Sequence, residues 1–396
     1  MKKFHRLFFL LLCATAIANV AFAQQNTSFR EGTVISPIID SLGCAHFTLY
    51  APNAKRVEVF GDWEEGGGYG LMHMESKADG IWTFTTSPLK SEMYMYRFVI
   101  DGITVTDPAN PFCRRDVGNI FSIFYVNGGY GDLYQVHDVP HGTVETVWYP
   151  SAETKSERRL QVYLPPSYQQ NGEKRYPVLY LLHGSGGDEN AWLDLGQINR
   201  IMDNLIAAQK IAEFIVVMPN GTISKPAASG ETSENTSFRP LMTHLLPDYK
   251  NGRYEQSFPE IVNFVDKRYN TQADKAGRAI AGLSMGGFHT LLIGLNHPQL
   301  FDYYGLFSAG LDPNLANSGI SAYSDLDFKY DYLKQTGYKL FWMACGTADF
   351  LYELNRNFDI ELNKRQVQHT YVESTRGHLW INWREYFVEF SQKLFK

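Results

Sequence analysis

An apolar run, Ala279-Ile280-Ala281, passes directly into Gly282-Leu283-Ser284-Met285-Gly286-Gly287. A G-x-S-x-G pattern at the end of a strand dictates a sharp strand-to-helix turn that lifts one serine hydroxyl above an α/β sheet. Glycine stands two residues before and two after the serine because strand and helix approach too closely there for a Cβ. Phe288 to Ile293 supplies the helix that must follow. The five-residue pattern alone also fits a serine in a Gly-rich turn without chemistry. The strand before it and the helix after it argue for a nucleophile.

The chain around this turn alternates strand and helix. Leu160 to Leu164, Tyr176 to Leu182 and Phe214 to Met218 read as strands, the last two as continuous apolar runs buried on both faces. Ile198 to Gln209, Phe258 to Lys267 and Trp383 to Leu394 read as helices. This rhythm predicts a mostly parallel sheet wrapped by helices over residues 142–396. Residues 24–127 differ: short strand-like runs such as Ala45 to Tyr50 and Tyr94 to Ile100, with Asp79-Gly80 and Asp101-Gly102 as hairpin turns. They predict an all-β sandwich, and the Gly-rich stretch from Asn127 opens a linker over 128–141. Segment 222–256, rich in Ser, Thr, Asn, Gly and Pro, is too long for a plain connector and reads either as a substrate-shaping loop or as a disordered insertion.

The first 23 residues read as a secretory signal. Lys2, Lys3 and Arg6 precede an apolar stretch from Leu7 to Val20, and Ala21-Phe22-Ala23 is an A-x-A cleavage site. A lipid-anchor reading on Cys13 is disfavoured by bulky Leu12. Loss of three of the 36 basic residues against 42 acidic ones leaves a net charge of about −9, with no basic face for nucleic acid. No second apolar run is long enough to span a membrane. An exported protein, periplasmic or extracellular, is expected. Cys44 and Cys113 fall in the same expected domain and are open to pairing, whereas Cys345 sits in an apolar strand as a core thiol.

A serine hydroxyl needs a base, and the base needs a carboxylate to orient it. In this fold they follow in the order Ser, acid, His. The strand Leu340 to Cys345 ends in Gly346-Thr347-Ala348-Asp349, and the next, His369 to Glu373, ends in Ser374-Thr375-Arg376-Gly377-His378. Asp349 and His378 are therefore the expected acid and base. Asp312 is the rival acid, Asp349 also suits a helix N-cap, and His289 and His297 read as structural. Two backbone N–H groups must meet the developing oxyanion. Met285 follows the nucleophile, and the turn His183-Gly184-Ser185-Gly186-Gly187 offers Ser185, with Gly186 second. No H-E-x-x-H, paired C-x-x-C, EF-hand loop, phosphate loop or strand-associated G-x-G-x-x-G is present, so no metal or cofactor is implied.

Tyr180 to Trp192, Val216 to Gly221, Ala279 to Gly287 and Gly377 to Trp383 together resemble the esterase-D-type α/β hydrolases, within them carbohydrate esterase family 1. Tyr50 to Ala54, Val57 to Trp63, Asp79 to Trp82, Tyr96 to Gly102 and Asp107 to Asn110 resemble the early-set, Ig-like sandwich of family 48 carbohydrate-binding modules. The first resemblance implies that Ser284 attacks an ester carbonyl, that His378 moves the proton and that Asp349 orients it. The partner it implies is a feruloylated or acetylated plant polysaccharide, with feruloyl esters on arabinoxylan first. Acetyl xylan, a siderophore ester, and a glycan-binding protein with an inactive hydrolase domain are the alternatives. Trp192 and Trp380 are candidates to stack on substrate, and Trp63 and Trp82 to stack on glycan; each equally suits a core. No feature sets an oligomeric state.

Overall fold

The computed structural model describes residues 34–64, 69–170, 172–232 and 249–396. The expected signal at 1–23, with Cys13, and the middle of segment 222–256 lie outside the described residues.

The first region is built from β1 (Ile38–Ile39), β2 (Ala45–Tyr50), β3 (Val57–Gly61), β4 (Gly70–His73), β5 (Glu75–Ser76), β6 (Ile81–Thr85), β7 (Glu92–Ile100), β8 (Ile103–Val105), β9 (Cys113–Asp116) and β10 (Asn119–Val126). All pair antiparallel, in two sheets ordered β1-β2-β6-β5 and β4-β3-β7-β10-β9, with β8 on β7. In β2, Ala45, Phe47 and Leu49 are buried while His46, Thr48 and Tyr50 are not, the alternation of a strand with one wet face. Asp101 and Gly102 both take left-handed backbone in the turn from β7 to β8.

The sheets meet on an aromatic core in which Phe47 lies 4.8 Å from Tyr96 and 5.3 Å from Trp63. This corrects the expectation for Trp63 and Trp82 as a glycan platform. Trp63 is partly buried with one face taken by Phe47, and Trp82 is buried with its indole donating to the Ala51 carbonyl at 3.1 Å. Strand alternation turns Trp82 inward, so it presents no free face to a sugar. Cys44, Cys113 and Cys345 are all free thiols.

The connector holds a short helix, α1 (Tyr130–Leu133). Asn204 donates to the Leu133 and Gln135 carbonyls, and Arg200 to that of Tyr134, so the segment is fastened down along its length.

The second region is one sheet of β11 (Thr143–Ser151), β12 (Ser156–Leu164), β13 (Val178–Leu182), β14 (Ile215–Pro219), β15 (Arg278–Leu283), β16 (Tyr303–Phe307), β17 (Leu340–Gly346) and β18 (Thr370–Ser374), ordered β11-β12-β14-β13-β15-β16-β17-β18. The pairs β11–β12 and β12–β14 are antiparallel and the rest parallel. Its register places Leu182 opposite Gly282, Leu283 opposite Phe307, Phe307 opposite Ala344 and Gly346 opposite Ser374. The carboxyl ends of β13 and β15 to β18 therefore fall on one edge, where α/β sheets place their sites.

Helices α2 (Ala191–Asp194), α3 (Ile198–Ala207), α4 (Arg253–Arg268), α5 (Met285–Asn296), α6 (Leu326–Thr336), α7 (Tyr352–Lys364) and α8 (Trp380–Ser391) surround the sheet. Helix α4 starts five residues before the expected Phe258. Pro259 resembles a helix start but sits inside the helix. The Glu255 carbonyl, four residues earlier, instead receives His297 Nε2 at 3.1 Å. That gives His297 its structural role.

One apolar core packs Phe258, Phe288 and Leu292 against Tyr180 and Ile280 on one face of the sheet. The other packs Leu205, Phe387 and Phe390 against Leu179 and Ala279, and it continues into the sandwich through Met93, Met95, Phe121 and Ile123. The two regions thus share a core. Arg384 of α8 is fully buried in the seam, donating to Glu92, to the Leu195 carbonyl and to the Met93 carbonyl at 2.9, 2.9 and 2.7 Å.

Candidate active site

Ser284 stands between β15 and α5 with φ 53° and ψ −114°, a strained backbone for a residue with a side chain. Its N–H donates to the Phe307 carbonyl, and its carbonyl accepts from Phe288 and Gly310, so three bonds hold the strain. Gly286 is required here: a Cβ would lie 2.5 Å from the Leu182 carbonyl oxygen. The first intrahelical bond belongs to Phe288, which leaves the N–H of Met285 at the open, positive end of α5.

The loop after β13 runs alongside. A Cβ on Gly184 would come within 3.3 Å of the Ser284 Cβ, which places Ser185 next to the serine. His183 braces this loop. Its Nδ1 bonds the Gly184 carbonyl and its Nε2 accepts the Gly221 N–H, both at 2.8 Å. Those roles require a neutral ring, and burial lowers its pKa accordingly.

The loops after β17 and β18 bring Asp349 and His378 together. The Asp349 side chain is fully buried, and its Oδ2 and Oδ1 lie 2.8 and 3.0 Å from His378 Nδ1. With Nδ1 so engaged, Nε2 is the ring's free acceptor. Phe350 and Trp383 pack on the imidazole with ring centroids at 4.6 and 4.8 Å. Asp312, the rival acid, is instead paired with Lys250 at 2.6 Å, and that ammonium holds its carboxyl below the usual range. His289 is likewise occupied, bonding buried Glu255 at 2.7 Å.

Ser284, Met285, Ser185 and His378 all line one cavity of about 520 Å³. Trp380 is on its wall. Trp192 is not: it is buried, its indole donates to the Leu182 carbonyl at 3.0 Å, and it supports Trp380 edge-on at 5.3 Å. Trp192 as a substrate contact is thus corrected, because the strand end it bonds turns it into the core. Tyr249 and Lys250, from the end of segment 222–256, also line the cavity.

One wall was missed in the sequence. Tyr69, Arg115, Asp116 and Val117 reach the cavity from the sandwich. Arg115 pairs with Asp188 and donates to the Val117 carbonyl, and Val117 packs on Gly186, where a Cβ would meet its methyl at 2.8 Å. Gly186 also has φ +79°, so it is glycine for two reasons. Burial raises the Asp116 carboxyl, with the neighbouring Trp380 indole and Arg115 pulling the other way. The only local sign of this wall was a turn between two strands. Its partners are some seventy residues distant, as in the Arg115–Asp188 pair.

Among the described residues no cluster of three or more His, Cys, Asp and Glu is placed to hold a metal ion. No helix among them is long and apolar enough to cross a membrane.

Comparison with known proteins agrees with this architecture. The Esterase family model, described as "Putative esterase", matches residues 151–394, and that of carbohydrate-binding module 48 (isoamylase N-terminal domain) matches 38–110. An endo-1,4-beta-xylanase/feruloyl esterase of Xylanibacter ruminicola is 32% identical over 371 residues, covering 91% of this chain but 46% of that protein; the chain spans about half the length, or less, of the first curated relatives it matches. A solved ferulic acid esterase is 26% identical with a TM-score of 0.50, covering 64% of this chain and 98% of its own. The enterobactin esterase of Shigella flexneri, at 16% identity and a TM-score of 0.62, covers 88% of this chain and 92% of its own, a likeness of fold alone. With a family model spanning well over half its length, the chain belongs to the esterase family of α/β hydrolases and carries a family 48 carbohydrate-binding module ahead of the esterase region.

Proposed function

We propose that the chain is an exported serine carboxylesterase that releases hydroxycinnamoyl groups, chiefly ferulate, from arabinoxylan side chains. The Asp349–His378 hydrogen bond beside a cavity that also holds the strained Ser284 carries this reading. Ser284 Oγ attacks the ester carbonyl as His378 Nε2 takes its proton. The Met285 and Ser185 N–H groups receive the oxyanion, each such donor being worth about 3 kcal/mol. His378 then returns the proton to the departing alcohol, and water resolves the acyl-enzyme by the same path. Asp349 keeps the imidazole in the tautomer that both steps need.

A cavity of about 520 Å³ with Trp380 on its wall has room for an aromatic acyl group. The feruloyl esterase activity named for the Xylanibacter relative points the same way. The leader at 1–23 supports export, as the module-48 match supports a polysaccharide substrate.

The test is release of free ferulate from a feruloylated arabino-oligosaccharide by the leaderless protein and by Ser284→Ala. Release by wild type alone is expected. Release by both would remove Ser284 from the chemistry, and acetate release from acetylated xylan without ferulate release would move the assignment to acetyl xylan.

A further inference from the structure

We propose that Phe350 is the platform on which the alcohol half of the ester, a sugar ring, stacks at the cavity mouth; this rests on the Ser284 esterase reading above. Phe350 lines the cavity yet is 77% exposed, whereas Trp380 and Trp383 on the same cavity are 4% and 6% exposed. A phenyl ring held in water at the entrance to a site is apolar surface that a ligand with a C–H face covers.

The ring is fixed in that position. The Asp349 N–H donates to the Gly346 carbonyl at 3.0 Å, the Asp349 carbonyl accepts from Tyr352 at 2.9 Å, and Asp349 Oδ1 accepts from Leu351 at 2.9 Å. Phe350 is therefore the tip of a turn held by the Asp349 backbone and, through Leu351, by the carboxylate that also orients His378.

Its place beside His378 decides which half of the substrate it meets. The imidazole that takes the serine proton must hand it to the oxygen of the departing alcohol. The alcohol half therefore lies against His378 while the carbonyl oxygen sits at Met285 and Ser185. Of the two rings packed on the imidazole, Trp383 is buried and Phe350, at 4.6 Å, is the exposed one. The departing sugar meets Phe350.

Two esters with the same acyl group separate this role from the chemistry. Methyl ferulate has no sugar to stack, and a feruloylated arabino-oligosaccharide does. Phe350→Ala should lower kcat/KM on the oligosaccharide roughly threefold to tenfold more than on methyl ferulate, with the extra loss mainly in KM. Phe350→Tyr should restore the oligosaccharide value. An equal loss on both esters would overturn the proposal by making Phe350 a support for His378, and no loss on either would overturn it as well. If wild type cleaves neither ester, the esterase reading itself fails and this subsite with it.

Discussion

Arg384 and Glu92, 292 residues apart in sequence, form an ion pair buried in full, Nε to Oε1 at 2.9 Å, at the seam between the esterase region and the sandwich. The guanidinium also lies over the Tyr134 ring at 5.2 Å. Removing the guanidinium strands the Glu92 carboxyl and the Leu195 and Met93 carbonyls. Arg384→Met should cost about 3–5 kcal/mol, and the double variant Arg384→Met with Glu92→Leu should recover part of it. Because the core is shared across the seam, both regions should unfold in one transition, seen by calorimetry. Two separate transitions would contradict the shared core.

Asp62 carries a pH dependence. Its Oδ1 accepts the Met95 N–H at 2.9 Å, while its buried Oδ2 has no hydrogen-bond partner among the described residues. Burial pushes this carboxyl up to about 7. Since the unfolded value is about 3.9, the folded chain holds a proton there that the unfolded chain has lost. Stability should be greatest below that unfolded value and fall as pH rises towards 7. Asp62→Asn should flatten the fall in Tm between about pH 4 and pH 7. Glu92, also raised to about 7 by burial, adds the same sign, so the slope shrinks without vanishing. An unchanged slope would show that Asp62 is not the group responsible.

His183 connects the loop bearing Ser185 to Gly221. His183→Phe keeps the bulk and loses both hydrogen bonds, leaving a buried N–H and carbonyl unpaired at about 1–3 kcal/mol each. The expected outcome is a loss in kcat at least tenfold larger than any change in KM, because the bonds position the loop of the proposed oxyanion donor Ser185. Burial lowers the folded pKa, so the unfolded chain takes up the proton first and stability falls as pH drops below the unfolded value of about 6.5. Steady-state kinetics with circular dichroism on the same preparation separates this from misfolding.

Asp349→Asn tests the orienting carboxylate. It preserves volume but is free to present an N–H to His378, favouring the wrong tautomer, and kcat should drop by roughly 10⁴-fold with KM little changed. Asp312→Asn should leave kcat near wild type, since its partner is Lys250. Equal losses at both positions would reopen the choice of acid.

The parts of this site that could be read from the sequence are those fixed by short-range chemistry. The serine turn needs glycines at set offsets, and the candidate acid and base each follow an apolar strand, so Ser284, Asp349 and His378 could all be named as candidates. Trp192 and Trp380 show where that reasoning stops. Both are tryptophans beside a motif, and only the packing reveals that Trp192 bonds the end of β13 while Trp380 faces the cavity. The sandwich residues at the cavity were hidden for a related reason: a strand-turn-strand signal says nothing about which distant loop the turn will touch. Phe350, adjacent to the named acid, was in view but carried no sign of its exposure.

The contact of Val117 and Arg115 with the loop at Gly186 and Asp188 makes the sandwich part of the machine tool and not only its clamp. A β domain tethered by a string can be lost, swapped or idle without slowing the chemistry. One that leans on the loop beside the nucleophile cannot. The esterase region cut free at residue 142 should therefore be a poorer catalyst even under conditions in which it stays folded.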